Sequence, residues 1–442
     1  MRSAVLILLL SVSLVSCRST GVRTSTTSAD WPQWRGPHHN GSADASNLPV
    51  IFSPTENVKW VTSLPGPAAS TPVIVGERVF LTSSDLQGTQ VLALCVSRRT
   101  GQELWRRELG KGHDFANEGK DPENFMAAPS PVTDGQAVYF LTGQGDLVAF
   151  DMRGREQWRR NVQVEYGGFN YMWGYGSSPL LHHNRLFVQV LHRDTKYAEN
   201  EFRLEPESYV LALDSGTGEV LYRHVRPTDA VKETKESYAT PIPHEVDGRT
   251  EIVILGADYI TGHDPATGDE LWRYGSWNPK KVASWRMVTS PVVGAGLLYA
   301  SCPKNGPIHA VAVNGSETKL AWEMPRGKTT DVPTPLFYRD RLFVLNGKKK
   351  TLTCLDPNTG KEIWTSSERL PIQRYSRCSL TAGDGKIYCI GVDGETLVFD
   401  AGDEYKLLHQ VNMGGAPVRA SIAIAHGSLF IRTADKLYCI GG

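Results

Sequence analysis

The chain has no net charge, because 47 lysines and arginines balance 47 aspartates and glutamates over 442 residues. A chain without overall charge lacks long-range attraction to nucleic acid or anionic lipid, so no nucleic-acid partner is expected. Only 40% of the residues are hydrophobic and 21% are charged. That composition argues against a disordered chain and a multi-span membrane protein. No stretch shows sustained helical periodicity with caps, which leaves one folded body built mainly from strands.

Cysteine is scarce, and no adjacent pair or Cys-x-x-Cys-His haem-attachment motif occurs among the seven. Four of them, Cys95, Cys354, Cys389 and Cys439, lie in strand patterns and are predicted to be buried; the sequence leaves disulfide pairing open. No histidine has a partner at ligand spacing, so no metal site is predicted. No motif orders a nucleophile, a base and an acid, and no catalytic residue is assigned.

The N-terminus reads as a secretory signal over residues 1–16, with Arg2 in front of a short apolar run. That run is too short to span a bilayer. It ends in Leu14-Val15-Ser16-Cys17, which resembles the bacterial lipobox, so Cys17 is predicted to be the lipidated first residue of the mature chain. The alternative is an ordinary signal peptide followed by a chance cysteine. Residues 17–30 are polar and are predicted to form a flexible tether.

A repeat with a mean period of about 50 residues runs along the rest of the chain. Each copy begins with Ser/Thr-Pro, or a degenerate form of it, and a turn residue follows before an alternating apolar strand. The eight starting residues are Thr71, Ser130, Ser178, Thr240, Ser290, Thr334, Ser379 and Ser421. The spacing is typical of propeller blades.

The second half of most copies carries a Thr-Gly turn followed by an aromatic residue, as in Thr100-Gly101 before Trp105. Strands that end in aspartate precede these turns, and each copy reads as four antiparallel strands. Six tryptophans occupy the fourth-strand position, where packing between blades is the expected role: Trp60, Trp105, Trp158, Trp272, Trp322 and Trp364. Trp31, Trp34, Trp173, Trp277 and Trp285 lie outside it.

The last copy ends after its third strand, and an isolated fourth strand at residues 58–64 precedes the first copy. Donating that strand to the last blade would close the ring and remove an exposed sheet edge. The sequence therefore predicts an all-β, eight-bladed β-propeller of four-stranded antiparallel blades, closed by an N-terminal strand that completes the last blade.

The pattern Ser-Pro…Gly…Ala-Leu-Asp…Thr-Gly…Leu-Trp resembles the PQQ-like β-propeller repeat, in its bacterial secreted or lipoprotein, BamB-like form. The resemblance covers residues 57–442. Residues 31–56, which begin Trp31-Pro32-Gln33-Trp34, resemble the segment that leads into the propeller of secreted members. We call them the lead-in segment. The resemblance does not fix the activity, because this fold hosts both quinoprotein dehydrogenases and non-catalytic scaffolds.

Two functions are compatible with the resemblance. A quinoprotein dehydrogenase needs a PQQ sandwiched by aromatic groups, a Ca²⁺ ion and a carboxylate base, and the sequence shows no acidic cluster with calcium-loop spacing. The favoured hypothesis is a non-enzymatic lipoprotein that docks an envelope protein or an extended peptide. A monomer is expected, held in outer-membrane lipid by the acylated Cys17 and facing the periplasm. No cofactor is predicted, and PQQ with Ca²⁺, or another small ligand, belongs to the alternative.

The connections between blades are long on only one face of the predicted propeller, which marks that face as functional. Aromatic residues interleave with arginines there, as at an interface hot spot or a ligand funnel. Repeat equivalence places Arg377 and Arg419 on neighbouring inner strands at the channel mouth. Packing of these loops on the blades is the alternative. The candidate binding residues are Tyr171, Trp173, Tyr175, Trp277, Trp285, Arg286, Arg374, Arg377 and Arg419.

Overall fold

A computed structural model describes residues 26–85, 89–112, 127–195, 202–203, 205–304, 306–327, 329 and 331–441. The predicted signal peptide and Cys17 lie outside these residues. The described chain forms eight four-stranded antiparallel sheets, which confirms the predicted eight-bladed propeller. None of the helices in the described part is long and apolar enough to cross a membrane.

The strands follow one another blade by blade. Blades 1 to 4 comprise β2 (Val73–Val75), β3 (Arg78–Ser84), β4 (Gln90–Ser97) and β5 (Glu103–Lys111); β6 (Val132–Thr133), β7 (Ala137–Leu141), β8 (Asp146–Asp151) and β9 (Glu156–Asn161); β10 (Leu180–His182), β11 (Arg185–Val190), β12 (Tyr209–Asp214) and β13 (Val220–Val225); β14 (Ile242–Val246), β15 (Arg249–Gly256), β16 (Tyr259–His263) and β17 (Glu270–Gly275).

Blades 5 to 8 comprise β18 (Val292–Gly294), β19 (Leu297–Ser301), β20 (Ile308–Asn314) and β21 (Glu317–Met324); β22 (Leu336–Tyr338), β23 (Arg341–Asn346), β24 (Thr351–Leu355) and β25 (Glu362–Thr365); β26 (Thr381–Gly383), β27 (Lys386–Ile390), β28 (Glu395–Asp400) and β29 (Leu407–Asn412); β30 (Ala423–Ala425), β31 (Ser428–Arg432) and β32 (Lys436–Ile440), with β1 (Val58–Ser63). Two short helices interrupt the links, α1 (Val162–Tyr166) and a 3₁₀ helix (Lys232–Lys235).

The ring closes as the sequence predicts, because β1 pairs antiparallel with β32 as the fourth strand of blade 8. The seam with blade 1 is held by the buried guanidinium of Arg432, which donates to the carbonyls of Thr82 at 2.5 Å and of Ser70 and Gly66 at 3.3 Å. Burial lowers the pKa of Arg432 to about 9. These bonds satisfy a buried group that would otherwise be costly.

The Thr-Gly turns have a geometric explanation. In blade 3, Asp214 Oδ1 accepts hydrogen bonds from the backbone N–H groups of Gly216 and Thr217 at 3.0 and 2.9 Å, which caps the turn. Gly218 then adopts φ +73°, and a Cβ on it would lie 2.6 Å from the ring of Trp158. Trp158 completes the contact by donating its indole N–H to the carbonyl of Ser215 at 2.9 Å. A fourth-strand tryptophan of blade 2 thus packs on the turn of blade 3.

The same inter-blade packing recurs around the ring, so the predicted structural role of these tryptophans is confirmed. Trp105 of blade 1, for example, lies 6.4 and 5.7 Å from the rings of Phe140 and Phe150 in blade 2. The hydrophobic core is therefore divided into clusters between neighbouring blades. The six cysteines in the described part are all buried free thiols.

The Ser/Thr residues that open the repeats form an inter-blade relay around the channel. The backbone N–H of each donates to the hydroxyl of the next, over 2.8 to 3.1 Å, from Thr71 through to Ser421. Seven consecutive junctions are linked in this way. We call these eight residues the hydroxyl ring; it fixes the inner strands at the channel mouth.

The lead-in segment crosses the opposite face, where the short hairpins lie. Trp31 bridges to Ile74 in blade 1, and Ser42 bridges to Ala382 in blade 7. Residues before the predicted boundary at residue 31 also contact the propeller. Asp30, assigned to the flexible tether, is buried and bonds to the N–H of Gly76 and the ring of His426, both at 2.8 Å. Burial alone would raise the pKa of Asp30, but these bonds and those from Thr27 lower it.

Candidate functional site

A cavity of about 260 Å³ lies on the propeller axis, at the face that carries the long connections. Residues of the hydroxyl ring form its belt, and loops from several blades form its rim. Its lining consists of Trp34, Ala69, Ala128, Ser130, Trp173, Gly174, Tyr175, Gly176, Ser178, Tyr238, Thr240, Arg286, Val288, Val332, Thr334, Arg377, Ser379, Arg419 and Ser421. We call it the axial cavity. Among the residues that the structure describes, its lining combines aromatic walls with three guanidinium groups and contains no carboxylate.

The hydroxyl belt presents hydrogen-bond donors to the axial cavity. Ser379 Oγ, for instance, accepts the N–H of Thr334 at 2.9 Å, and Ser421 Oγ accepts the N–H of Ser379 at 3.0 Å. A hydroxyl that accepts a backbone bond keeps its own hydrogen to donate. Guanidinium groups are donors only. The polar lining is therefore suited to a ligand rich in acceptors.

The lead-in segment supplies the floor of the axial cavity. Trp34 lines it, and the guanidinium of the adjacent Arg35 lies 5.6 Å from the Trp34 ring. Arg35 is buried and donates to the carbonyls of Leu380 in blade 7 at 2.8 Å and Pro335 in blade 6 at 2.9 Å. Burial lowers the pKa of Arg35 to about 9. These bonds fix the lead-in segment to the inner strands of blades 6 and 7 and hold Trp34 at the axial cavity.

One side of the rim is a platform of loops from different blades, joined around Trp173. The backbone N–H of Trp173 donates to Tyr238 Oη at 3.3 Å, and its indole N–H donates to Glu233 Oε1 at 3.2 Å. Arg286 lies over the Trp173 ring at 5.6 Å and pairs with Glu233 at 3.3 Å and Asp331 at 3.7 Å. Links from blades 2 to 5 are therefore held together before any ligand arrives. We call Trp173, Glu233, Tyr238, Arg286 and Asp331 the rim platform.

Glu236 anchors the rim platform from below. Its carboxylate is fully buried, pairs with Arg193, accepts from Tyr238 Oη, and accepts the backbone N–H of Met172 at 3.1 Å. Burial raises the pKa of Glu236, although its bonds to Tyr238 and Arg193 oppose the shift. These bonds from Glu236 position the loops that carry Trp173 and Tyr238.

The structure brings together five of the nine predicted binding residues in the lining of the axial cavity, namely Trp173, Tyr175, Arg286, Arg377 and Arg419. Tyr175 is nevertheless mostly buried, and its hydroxyl donates to the carbonyl of Gln189 at 2.8 Å. Trp173 is 36% exposed, which makes it the accessible aromatic group of the set.

The other four predicted residues lie outside the axial cavity. Tyr171 is buried and packs against Tyr175 and Tyr238. Trp277 stacks on His309 at 5.1 Å, and Arg326 covers Trp285 at 5.0 Å. Arg374 pairs with Asp393, with the closest atoms 2.6 Å apart. The first three contribute to loop packing, which was the alternative that the sequence left open.

Sequence reasoning missed several lining residues. Trp34 stood out as a tryptophan outside the repeat position, but nothing in the sequence placed it inside the channel. The Ser/Thr-Pro residues were recognised as repeat markers and not as the belt of a cavity. Tyr238 precedes Thr240 by two positions, and Arg377 and Arg419 precede Ser379 and Ser421 by the same spacing. That shared offset was the signal that could have found Tyr238.

A second cavity of about 470 Å³ adjoins the first on the same face and shares Arg286, Val332 and Arg377 with it. Its lining adds Lys304, Asp331, Pro333, Asn346, Gly347, Lys348, Tyr375 and Ser376. Arg377 lies over the Tyr375 ring at 5.1 Å. Among the described residues, four cationic side chains and one carboxylate line this second cavity, so it is basic as well.

The axial cavity does not fit calcium-assisted quinone chemistry. Ca²⁺ takes six to eight oxygen ligands, mainly from carboxylates, carboxamides and carbonyls. None of the described residues that line the cavity is an aspartate, glutamate, asparagine or glutamine. Within the described ranges, no group of three or more His, Cys, Asp or Glu side chains could hold a metal ion. The described part of the lining also contains no carboxylate that could act as the base for an alcohol substrate.

The fold is an eight-bladed propeller with a cavity on its axis, at the face that carries the long connections. The chain belongs to the PQQ-like propeller family described as outer membrane protein assembly factor BamB, whose model matches residues 48–165, 89–366 and 304–438. Among solved structures, BamB from Moraxella catarrhalis is 14% identical, with a TM-score of 0.59 over 87% of this chain and 97% of that one.

Enzymes share the same architecture. The quinohemoprotein alcohol dehydrogenase of Comamonas testosteroni is 13% identical, with a TM-score of 0.64 over 96% of this chain and 82% of that one. A polyvinylalcohol dehydrogenase from Pseudomonas sp is 28% identical over 206 residues, which is 45% of this chain and 29% of the enzyme. The matched region thus spans less than a third of that relative. Such likenesses establish the shared fold and leave the activity to the site.

Proposed function

We propose that this chain is a non-enzymatic scaffold of the bacterial cell envelope, which docks a protein partner through its long-loop face. The observation that carries the proposal is the rim platform, in which Trp173, Glu233 and Arg286 join loops from different blades. Preformed loops lose little conformational entropy on binding. Tryptophan and arginine are the side chains enriched at interface hot spots. Membership of the family described as an assembly factor supports the same reading.

Exposed apolar groups extend the docking face beyond Trp173. Val164 is 68% exposed and Val282 is 40% exposed, and both lie in links that open on the long-loop face. Single exposed apolar residues are common on protein surfaces. Together with Trp173 they place three exposed apolar side chains in links of one face, a combination that a partner can recognise.

The predicted anchor would orient this face. Lipidation of Cys17 remains a proposal, as does outer-membrane attachment. About ten residues separate Cys17 from Thr27, a span of at most roughly 35 Å. The chain joins the propeller on the hairpin face, through Asp30 at Gly76 and His426. A short anchor on that side would leave the long-loop face directed away from the membrane, toward periplasmic partners.

The proposal is tested by site-specific photo-crosslinking in the cells that produce the chain. A photoreactive residue at position 173 or 282 should crosslink to a discrete envelope protein, which mass spectrometry identifies. Leu104 is the matched control, because it is 49% exposed on the outer strand β5 and lies outside the docking face.

Function is measured in parallel. A deletion strain should lose outer-membrane proteins, wild-type chain should restore them, and Trp173→Ala with Arg286→Ala should restore them poorly. Crosslinks of equal pattern at positions 104 and 173, together with full complementation by the double variant, would refute a docking role.

A PQQ-dependent dehydrogenase is the second candidate, favoured by the similarity to a polyvinylalcohol dehydrogenase. The described lining of the axial cavity argues against this candidate, because it contains neither side-chain ligands for Ca²⁺ nor a carboxylate base. The direct test adds PQQ and Ca²⁺ to purified protein and follows absorbance, thermal stability and alcohol oxidation. A saturable thermal shift with dye reduction would establish the enzyme and displace the scaffold-only proposal.

A further inference from the structure

We infer that five cationic side chains beside the rim platform form a docking surface for an acidic segment of a protein partner. They are Lys304, Arg326, Lys348, Lys349 and Lys350, and we call them the basic sector. The inference rests on the proposed docking role and names the chemistry of the partner. Three features of the basic sector carry it: its charge, its fixed geometry and its position beside exposed apolar groups.

The basic sector is a local excess of positive charge. It lies in three connections of the long-loop face, at residues 302–307, 325–335 and 347–350, which together contain six basic residues and one acidic residue. The sixth basic residue, Lys328, lies outside the described residues. The acid is Asp331, which pairs with Arg286. In the part of the chain that the structure describes, no side chain of the basic sector pairs with a carboxylate.

Other cations on the same face are neutralised within the fold. Lys235 lies 2.7 Å from the carboxylate of Asp194, and Lys281 lies 2.5 Å from that of Asp229. The basic sector differs from these pairs because its charge is left for a partner to neutralise. Such a patch attracts an anionic partner and accelerates its association.

Neutral acceptors hold the basic sector in place. Lys304 donates to Ser284 Oγ at 2.8 Å, which ties the β19–β20 connection to the link between blades 4 and 5. Lys350 donates to the carbonyl of Gln373 at 2.6 Å, which ties the β23–β24 connection to the link between blades 6 and 7. Each ammonium keeps its charge and two further N–H donors. A surface that is fixed in this way loses little conformational entropy on binding.

A recess lies within the basic sector. Lys304 and Lys348 are both exposed, and both line the second cavity of about 470 Å³. A carboxylate side chain that enters this recess meets ammonium groups from two blades. The proposed anchor joins the hairpin face, so the bilayer would lie on the far side of the propeller. That orientation favours the carboxylates of a protein over the headgroups of lipids.

The basic sector borders the exposed apolar part of the docking face. Ser284, which accepts from Lys304, lies two residues after Val282 and two before Arg286 of the rim platform. Asp331 of the rim platform accepts the backbone N–H of Lys304 at 3.1 Å. One partner segment can therefore place an apolar group at Val282 and carboxylates on the basic sector.

Fluorescence anisotropy of purified protein tests the chemistry of the partner. The probes are a labelled ten-residue peptide that alternates glutamate with serine and the same peptide with glutamine in place of glutamate. We expect the glutamate peptide to bind at least tenfold more tightly at low salt, and its affinity to fall as salt rises. Vesicles of phosphatidylglycerol, followed by sedimentation, are the lipid probe, and we expect no binding that depends on the basic sector.

Matched charge reversals locate the surface. Lys348→Glu combined with Lys349→Glu should weaken the glutamate peptide by tenfold or more. Lys348→Glu alone leaves the bond from Lys349 to Gly327 intact and should give a smaller loss, whereas Lys348→Arg should bind normally because the charge remains. Lys361→Glu combined with Lys406→Glu is the control, since both lysines are exposed in hairpin-face connections and the change in net charge is the same. Thermal unfolding checks that each variant is folded.

Four results would overturn the inference. They are equal binding of the glutamine and glutamate peptides, no binding of the glutamate peptide at millimolar concentration, an equal loss in the hairpin-face control, and vesicle binding that the reversals at positions 348 and 349 abolish. The last result would assign the surface to lipid.

Crosslinking in cells separates this inference from the docking role. A photoreactive residue at position 282 should lose its crosslinks when Lys348→Glu and Lys349→Glu are combined. Crosslinks that persist would keep the docking role and remove the basic sector from it. Absence of crosslinks in the wild-type background, with intact binding of the glutamate peptide, would remove the docking role and keep a surface that binds acidic segments.

Discussion

Asp258 should destabilise the folded protein at neutral pH, so replacing it with asparagine should stabilise the chain. Its side chain is 1% exposed, and neither carboxylate oxygen has a hydrogen-bond partner among the described residues. Burial dominates the pKa of Asp258, whereas the charge of Lys281 and the second N–H of the Asn278 amide, whose other N–H bonds to Val282, oppose the shift. Burial raises the pKa of Asp258 to about 6, from 3.8. The position has φ +70°, which asparagine tolerates well.

The magnitude follows from the pKa difference. The unfolded chain releases the proton near pH 3.8 and the folded chain near pH 6, so the folded state becomes progressively less stable as pH rises between these values. The full cost above pH 6 is about 3 kcal/mol, at roughly 1.4 kcal/mol for each pH unit. Asp258→Asn removes the titration. The gain should be about 3 kcal/mol at pH 7.5 and about 1 kcal/mol at pH 4.5.

Urea or guanidinium unfolding at the two pH values measures this difference. Asp229→Asn is the control, because Asp229 pairs with Lys281, accepts from Tyr259, and has its pKa lowered chiefly by the Lys281 bond. That variant should be neutral or slightly destabilised at pH 7.5. If Asp258→Asn is neutral or destabilising at pH 7.5, an ordered water, cation or other donor satisfies the carboxylate, and the reasoning about its burial is wrong.

Two further predictions concern packing and pH. Gly218→Ala should lower the free energy of unfolding by about 2–4 kcal/mol, because the position has a positive φ and a Cβ there would meet the ring of Trp158. Gly296→Ala should lower it by only about 1–2 kcal/mol, because φ is +72° but nothing lies within 4 Å of the added Cβ. Equal losses in denaturant unfolding would show that the Trp158 contact does not matter. Burial lowers the pKa of His192 to about 4, so the unfolded chain takes up a proton first as pH falls below about 6.5. The stability advantage of wild type over His192→Asn should therefore shrink by about 2 kcal/mol between pH 7 and pH 5. A stability difference that stays constant over this pH range would contradict the prediction.

The blade architecture could be predicted because its signals are local. Asp214, Thr217 and Gly218 lie within five residues and specify one turn, while the partner Trp158 occupies the equivalent position of the preceding repeat. Each such unit recurs about every 50 residues, and the count of units gives the blade number. The unpaired strand at β1 could likewise be assigned to blade 8, because the last repeat lacked one strand.

The predicted site was recovered only in part, since residue type says little about which side of a loop faces the axis. Trp173 and Tyr171 belong to the same aromatic segment, yet Trp173 is exposed at the cavity and Tyr171 is buried beneath it. Repeat equivalence put Arg377 and Arg419 on neighbouring inner strands; both lie in the links that precede β26 and β30, and both line the axial cavity. Trp277 and Arg374 share their composition signals but make other contacts.

The sequence by itself determined the repeat, the number of blades, the closure of the ring and the packing role of the fourth-strand tryptophans, because each depends on short-range turn chemistry and alternation. Tertiary structure alone decided that Trp34 reaches the axial cavity, that the hydroxyls from Thr71 to Ser421 form one relay, and that Arg286, Arg377 and Arg419 meet in the lining of that cavity. These features join residues tens to hundreds of positions apart, and they arise only when the ring closes and a non-repetitive segment crosses its face.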